Sequence, residues 1–180
     1  MEINEKIITH VENFICKTRH LPRVKFRFIF GRYSKHFGFE PHIFQKEKYE
    51  EIKVFLESCV SWENIENTEN EVNTESIESP ENIIICTNGS YDLMVTYNSN
   101  VNISDISGIK KITTFNRKCH SFVLSTIKNE LNEIYYTFEI IASVPLNYTS
   151  KYISDSSLLK VRDILTKINA DLDLQFEIIK

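Results

Sequence analysis

The spacing of hydrophobic residues predicts three amphipathic helices. Apolar side chains recur every three or four residues in three separate segments, as they do on the buried face of a helix. The first segment begins after a candidate N-cap at Asn4, and the second spans residues 45–58. The third starts at the cap-forming residues 154–157 and continues to Ile168.

Strict alternation of apolar and polar residues predicts the first strand. Phe26, Phe28 and Phe30 fall on one face of this strand, and Lys25 and Arg27 fall on the other. Because such alternation is typical of a half-buried strand, we interpret the three phenylalanines as core residues.

Further strands follow the same pattern, and a tight turn joins two of them. The Asn88-Gly89 pair tolerates the positive φ values of such a turn. The expected strands cover residues 83–86, 91–97, 106–114, 121–127, 133–144 and 171–179. Their two-faced character predicts an α+β fold, in which an antiparallel sheet curls into a barrel or tunnel and about three helices pack on it. A length of 180 residues favours a single domain over residues 1–180.

Composition narrows the class of protein. The chain has 42% hydrophobic and 26% charged residues, which are ordinary values for a globular domain. No apolar run reaches the roughly 18 residues that a membrane span needs, and the N-terminus lacks the order of a signal peptide. We therefore expect a cytoplasmic protein, with the nucleus as the alternative, and no membrane partner.

Cysteines and histidines show no spacing typical of a metal or catalytic site. The four cysteines form no CxxC pair, and the five histidines form no HExxH motif. The adjacent Cys119 and His120 do not by themselves make a nucleophile and its base. We expect reduced, packed thiols, no metal and no cofactor. The single tryptophan, Trp62, is interpreted as a packing anchor.

Charge is strongly segregated within the net value of −4. Residues 13–39 contain no acidic residue and seven basic ones, interleaved with aromatic residues. This pattern indicates either a polyanion-binding face or a solvated, edge-type strand. The RNA-binding candidates are Lys17, Arg19, Arg23, Lys25, Arg27, Arg32, Lys35, Lys110 and Lys111.

The segment 63–81 has the opposite charge. It contains seven glutamates and neither lysine nor arginine, and it is rich in Asn, Ser and Thr. Such a composition predicts an acidic flexible loop within the domain.

Several strings and their order resemble the tunnel-fold RNA 5′-triphosphatases of fungal-type mRNA capping, which are relatives of the triphosphate tunnel metalloenzymes. The resemblance covers nearly the whole chain. The similar strings are HVENFI, the Phe30-Gly31 strand end, FEPHIFQKEKYEEIKVFLESC, YDLMVTYN, SGIKKI, SVPL and DLQFEI. The resemblance implies a tunnel fold in which alternate glutamates on the first and last strands hold a divalent metal.

The chain departs from that family at the positions that the resemblance assigns to the metal. The first-strand glutamates correspond to Lys25 and Arg27, the central-strand glutamate to Ile141, and a phosphate-binding basic residue to Met94. The last-strand glutamates correspond to Asp173, Gln175 and Glu177. The remnants of the tunnel site are Lys111, Arg162, Asp173 and Glu177. Because cations cannot ligate a metal, the sequence indicates a pseudoenzyme with no catalytic residue.

Two orientations of Lys25 and Arg27 stay open. Inside the tunnel they would pair with Asp173 and Glu177 and replace the metal by ion pairs. Outside it they would join other basic residues in a nucleic-acid surface.

Three functions are compatible with the sequence. The favoured one is a non-catalytic RNA- or ribonucleoprotein-binding factor, whose most specific form is a ribosome-bound factor that inhibits translation and maintains dormancy. The second is an active metal-dependent RNA 5′-triphosphatase of mRNA capping. The third is a scaffold subunit that binds a protein partner within a larger assembly.

Overall fold

The computed structural model describes residues 4–72, 81–97, 106–168 and 176–179. The helices are α1 (Glu5–Thr18), α2 (Lys46–Ser58) and α3 (Ser150–Ile168). The strands are β1 (Lys25–Ser34), β2 (Gly38–Glu40), β3 (Asn64–Val72), β4 (Asn82–Thr87), β5 (Asp92–Tyr97), β6 (Gly108–Arg117), β7 (His120–Lys128), β8 (Ile134–Ser143) and β9 (Phe176–Ile179).

The strands form one antiparallel sheet that curls like a tunnel without closing. Eight of them follow the order β3-β6-β7-β8-β1-β5-β4-β9, and β2 pairs with the end of β1. The predicted α+β fold with an antiparallel curled sheet and three helices is therefore confirmed. β1 lies between β8 and β5, so the interpretation of this basic segment as an edge-type strand is wrong.

The helices pack on one face of the sheet, which we call the helix face. Phe26, Phe28 and Phe30 are fully buried there among apolar residues of all three helices, so their assignment to the core is confirmed. Trp62 packs against the same core and donates its indole N–H to the carbonyl of Leu56 at 2.8 Å. The first helix begins where expected, because the Asn4 side chain accepts the Lys6 N–H at 2.8 Å.

The opposite side of the sheet, which we call the tunnel face, carries the alternate residues of each strand. Ile29, Ile84 and Met94 form a small second apolar cluster there. Gly31 marks the point where β2 folds against β1. A Cβ at this position would overlap the carbonyl oxygen of Glu40, which explains the glycine after Phe30.

The predicted acidic loop is wrong for residues 64–72. They form β3, whose nine residues pair with β6 from Asn64↔Asn116 to Val72↔Gly108. The backbone pairs with a neighbouring strand while the polar side chains stay exposed, so polar composition alone did not predict the strand. The rest of the predicted loop falls largely on residues 73–80, which lie outside the described residues.

The start of the third helix also differs from the prediction. α3 begins at Ser150, and the Thr149 hydroxyl oxygen accepts the Tyr152 N–H at 3.1 Å. Ser154 and Ser157 are not caps but buried positions within the helix. Of the predicted closing strand, residues 171–175 lie outside the described part of the chain.

Among the helices that the structure describes, none is both long enough and apolar enough to cross a membrane.

Candidate functional site

A buried ion pair lies on the tunnel face between β1 and β8. The Arg27 Nε donates to Glu139 Oε2 at 2.6 Å, and its Nη2 donates to Glu139 Oε1 at 2.9 Å. The exposed fractions of the two side chains are only 9% and 14%. The strand register explains the contact, because Ile29 of β1 lies opposite Glu139 and Arg27 is two residues away on the same face. This two-pronged geometry fixes both side chains in the tunnel.

Lys110 of β6 adds a second cation to this cluster. The register runs from Arg27 through Ile141 and Ser121 to Asn116, and Lys110 is six residues from Asn116 on the same face. Burial lowers the pKa of Lys110, Glu139 raises it and Arg27 lowers it. The three groups form a partly buried cluster of two cations and one carboxylate.

Lys111 lies on the other side of β6, contrary to its assignment as a tunnel remnant. It is exposed and stands opposite Glu69 of β3. Because side chains alternate along a strand, only one residue of the Lys110-Lys111 pair can reach the tunnel. The register places Lys110 there.

Glu177 is the one tunnel remnant of the last strand that the structure describes. It is exposed and pairs with Cys86 of β4 in the register. Burial, Asp92 and Glu177 together raise the pKa of the Cys86 thiol to about 11. Asp173 lies outside the described residues. Arg27 pairs with Glu139 of β8, a partner that the sequence did not predict, and its pairing with Asp173 and Glu177 stays a prediction.

Arg162 is not on the tunnel face. It belongs to α3, where its Nη2 lies 3.2 Å from Asp163 Oδ1, and it lines a cavity between α1 and α3. Helical packing on the opposite side of the sheet removes this residue from the predicted tunnel site.

Asp92 also occupies the tunnel face, at one end of β5. Its Oδ2 accepts the Tyr33 N–H and its Oδ1 accepts the Thr87 N–H, both at 2.9 Å. Both carboxylate oxygens therefore bind backbone donors and hold strand ends together.

The described side chains around Arg27 do not fit a divalent metal. A hard cation such as Mg²⁺ needs several carboxylate or carbonyl oxygens. Both oxygens of Glu139 accept hydrogen bonds from Arg27, and Lys110 adds positive charge nearby. Within the described ranges, no group of three or more His, Cys, Asp or Glu residues could hold a metal ion.

Two of the predicted RNA-binding residues serve contacts within the chain. Lys17 pairs with Glu81 at 3.2 Å on the surface. The Arg19 guanidinium donates to the Ser150 hydroxyl at 3.0 Å and to the Tyr148 carbonyl at 2.8 Å. Arg19 thus connects the end of α1 to the start of α3.

The remaining basic residues of the N-terminal stretch lie at opposite ends of β1. Arg23 and Lys25 are exposed at its beginning, and Arg32 and Lys35 are exposed at the β1–β2 hairpin. A strand of ten residues spans roughly 30 Å, so the stretch does not form one compact patch.

Sequence reasoning did not identify Glu139. Its signal was that Glu139 is the only acidic residue inside the largely apolar string of β8. Unpaired carboxylates are rare at such positions, so the pattern called for a cationic partner.

A further buried polar residue, His120, lies on the helix face. His120 is 3% exposed, and its Nε2 is 2.9 Å from the Ser157 hydroxyl. Its Nδ1 is 3.5 Å from the Cys119 sulfur. Burial, with a smaller contribution from Lys160, lowers the pKa of His120 to about 4. The ring is therefore neutral at pH 7 and joins β7 to α3.

The fold is that of a known RNA triphosphatase. The structure of S. pombe Pct1 RNA triphosphatase in complex with the Spt5 CTD has a TM-score of 0.61 and 9% identity, covering 93% of this chain and 96% of that chain. A second structure of S. pombe Pct1 has a TM-score of 0.62 and 9% identity, covering 93% and 95%. No protein-family model and no curated protein sequence matches the chain. The predicted resemblance to tunnel-fold RNA triphosphatases is confirmed at the level of the fold.

Proposed function

We propose that this chain is a non-catalytic RNA- or ribonucleoprotein-binding factor built on the tunnel fold of the RNA triphosphatases. The Arg27–Glu139 pair on the tunnel face carries the proposal. Arg27 occupies a first-strand position to which the family resemblance assigns a metal-binding glutamate.

The chemistry of the pair argues against metal-dependent hydrolysis. A metal between β1 and β8 would compete with the Arg27 guanidinium for both oxygens of Glu139. The positive charges of Arg27 and Lys110 would repel a divalent cation, and a partly buried site screens that repulsion weakly. The tunnel can therefore be stable with an ion pair in place of a metal.

Exposed cations support binding to a polyanion. Arg23 and Lys25 are exposed at the start of β1. The phenylalanines of β1 are buried, so they are not available to stack on bases. We therefore expect RNA to be bound chiefly through its phosphates.

The most specific form of this proposal is a ribosome-bound factor that inhibits translation and maintains dormancy, in the cytoplasm. Ribosomal RNA offers the dense phosphate surface that basic residues bind. A nuclear ribonucleoprotein is the alternative partner.

Salt titration and sedimentation test the proposal. The purified chain should bind single-stranded RNA with an affinity that falls with KCl, by about 0.7 log-log units for each phosphate contacted. It should also sediment with ribosomes at low salt and leave them at high salt. A chain that binds neither RNA nor ribosomes at low salt would contradict the proposal, whereas RNA binding without ribosome binding would exclude only its ribosomal form.

A protein-binding scaffold is a second candidate, because a cavity of about 520 Å³ lies between α1 and α3. Ile8 and Leu159 contribute apolar surface to it, and Asp155 Oδ1 is buried without a hydrogen-bond partner in the described structure. One S. pombe Pct1 structure contains the Spt5 CTD. Co-purification of one stoichiometric protein after RNase treatment, lost in Leu159→Glu but kept in the exposed control Val54→Glu, would favour this candidate.

An active triphosphatase of mRNA capping is favoured by the fold alone. Release of phosphate from triphosphate-ended RNA in Mg²⁺ or Mn²⁺ would favour this candidate over a non-catalytic factor.

A further inference from the structure

The strand register brings basic residues from distant parts of the sequence to one end of the sheet. Lys25 at the start of β1 lies opposite Ser143 at the end of β8. The Ser143 N–H donates to the Cys119 carbonyl at 2.8 Å. Because neighbouring strands are about 4.8 Å apart, the β6–β7 turn lies about 10 Å from Lys25 across the sheet. This turn carries Arg117 and Lys118, both exposed.

α3 adds a cation to the same end. The contact of 2.9 Å between His120 Nε2 and the Ser157 hydroxyl fixes α3 against the start of β7. Lys160 is three residues after Ser157, so it lies about one helical turn away on the same helical face. Burial lowers the pKa of Lys160, and Arg117 and Lys118 lower it further, whereas Cys119 and Asp163 raise it. The turn and the helix therefore present their cations close together.

We call this surface the basic end; its residues are Arg23, Lys25, Arg117, Lys118 and Lys160. Among the described residues, two carboxylates lie close to the β6–β7 turn and α3. Glu63 Oε1 accepts the backbone N–H of Lys118 at 3.0 Å, and Asp163 pairs with Arg162 at 3.2 Å. The Arg117 Nη1 donates to the Ser61 hydroxyl at 3.0 Å. Positive charge thus exceeds negative charge at this end of the sheet.

We propose that the basic end is the surface that contacts the phosphate backbone of RNA. This inference rests on the proposed function and names the site that performs it. Cations that converge from a strand, a turn and a helix repel one another, and a bound polyanion relieves that repulsion. Only Arg23 and Lys25 of this surface belong to the basic N-terminal stretch.

The opposite end of β1 provides a matched control. Arg32 and Lys35 are also exposed, and they carry the same charge at about one strand length from the basic end. Two double variants, Lys118→Glu with Lys160→Glu and Arg32→Glu with Lys35→Glu, therefore change net charge equally. A milder pair, Lys118→Gln with Lys160→Gln, keeps the test valid if the partly buried Lys160 does not tolerate glutamate.

The measurement is fluorescence anisotropy with a labelled single-stranded RNA of about 20 nucleotides over a KCl series. We expect the basic-end charge reversal to weaken binding at least tenfold and to lower the log-log salt slope by about 1.4 units, since each phosphate contact contributes about 0.7 units for a single strand. The Arg32 and Lys35 variant should weaken binding less than threefold. Urea unfolding of each variant checks that the fold is intact.

The alternative outcomes separate this inference from the proposed function. If wild type binds RNA and both charge reversals weaken it equally, or only the control pair does, the basic end is not the site and the proposed function stands. If wild type binds neither this RNA nor ribosomes at low salt, the proposed function and this inference both fail.

Discussion

Arg27 and Glu139 bind each other through two hydrogen bonds from neighbouring strands of the tunnel face. The donor–acceptor distances are 2.6 and 2.9 Å. Both side chains are largely buried, and Lys110 shares their surroundings. A charge pair of this kind is costly to break, since the partner that stays behind is desolvated and unpaired.

Removing one partner of this pair should strongly destabilise the fold. We expect Glu139→Met or Arg27→Met to lower the free energy of unfolding by about 3–5 kcal/mol. The double variant Arg27→Met with Glu139→Met should lose much less than the sum of the two single changes, because it leaves neither charge unpaired. Urea denaturation measures all three.

Lys25→Met is the matched control on the same strand. Its side chain is exposed, so the change should stay within about 0.5 kcal/mol. If Arg27→Met and Glu139→Met each lowered the free energy of unfolding as little as Lys25→Met does, and their effects added in the double variant, the pair would not hold the tunnel together.

Lys110 and Lys111 of β6 should contribute differently to the pH dependence of the free energy of unfolding. Burial lowers the pKa of Lys110. Between that lowered pKa and the ordinary lysine value, the unfolded state therefore binds more protons than the folded state. The free energy of unfolding of wild type should therefore rise as pH increases from the lowered pKa towards 10.5. Lys110→Met should reduce that rise, measured by urea unfolding between pH 7 and 10.

Lys111→Met is the control for this prediction. Lys111 is exposed and faces the other side of the sheet, so the pH dependence of its variant should match that of wild type. Equal effects of the two variants would contradict the assignment of Lys110 to the tunnel face.

His120 should make the fold sensitive to mild acid. Burial and Lys160 lower its pKa to about 4, from an unperturbed value of 6.5. Between these values the unfolded state takes up a proton that the folded state does not, so stability falls as pH decreases from 7 to 4. The shift corresponds to a loss of about 3 kcal/mol.

His120→Gln should remove that part of the pH dependence. Thermal or urea unfolding from pH 7 to 4 would show a smaller loss of stability in this variant than in wild type. The contribution of the carboxylates is the same in the two proteins and cancels in the comparison. His36→Gln, at an exposed histidine, serves as the control. A variant of His120 with the wild-type pH profile would contradict the buried neutral ring.

Arg19 should matter for stability rather than for RNA. Its guanidinium donates to the Ser150 hydroxyl and to backbone carbonyls of the segment before α3. Arg19→Ala should cost about 1–3 kcal/mol, because two buried or half-buried acceptors lose a charged donor. RNA affinity at a fixed salt concentration should change less than twofold, and a tenfold loss in a folded variant would instead assign Arg19 to the RNA surface.

Local patterns in the sequence predicted the elements well, because each depends on its own residues. The alternation around Phe26 and Phe28 assigned both faces of β1, and Asn4 capped α1 as expected. β3 was missed because its stability comes from pairing with β6, which lies about 40 residues away, and not from its own polar residues.

The candidate site was only partly predictable, because it depends on register and on packing between distant segments. Arg27 was singled out, but its partner Glu139, which lies 112 residues further along the chain, was not. Choosing between Lys110 and Lys111 required the alignment of β6 with three other strands. Likewise, no local sequence pattern predicts that Lys118 and Lys160 lie close together. The contact between His120 and Ser157 places them there.

The proposed function requires that the tunnel binds no catalytic metal and that the chain does not hydrolyse triphosphate. The most direct test is release of inorganic phosphate from RNA with a 5′-triphosphate end in Mg²⁺ and in Mn²⁺, with S. pombe Pct1 as the active control. We expect a rate no higher than that of the buffer blank with either metal. Metal-dependent release above the blank that is abolished by Glu139→Gln, in a variant that is still folded, would contradict the account.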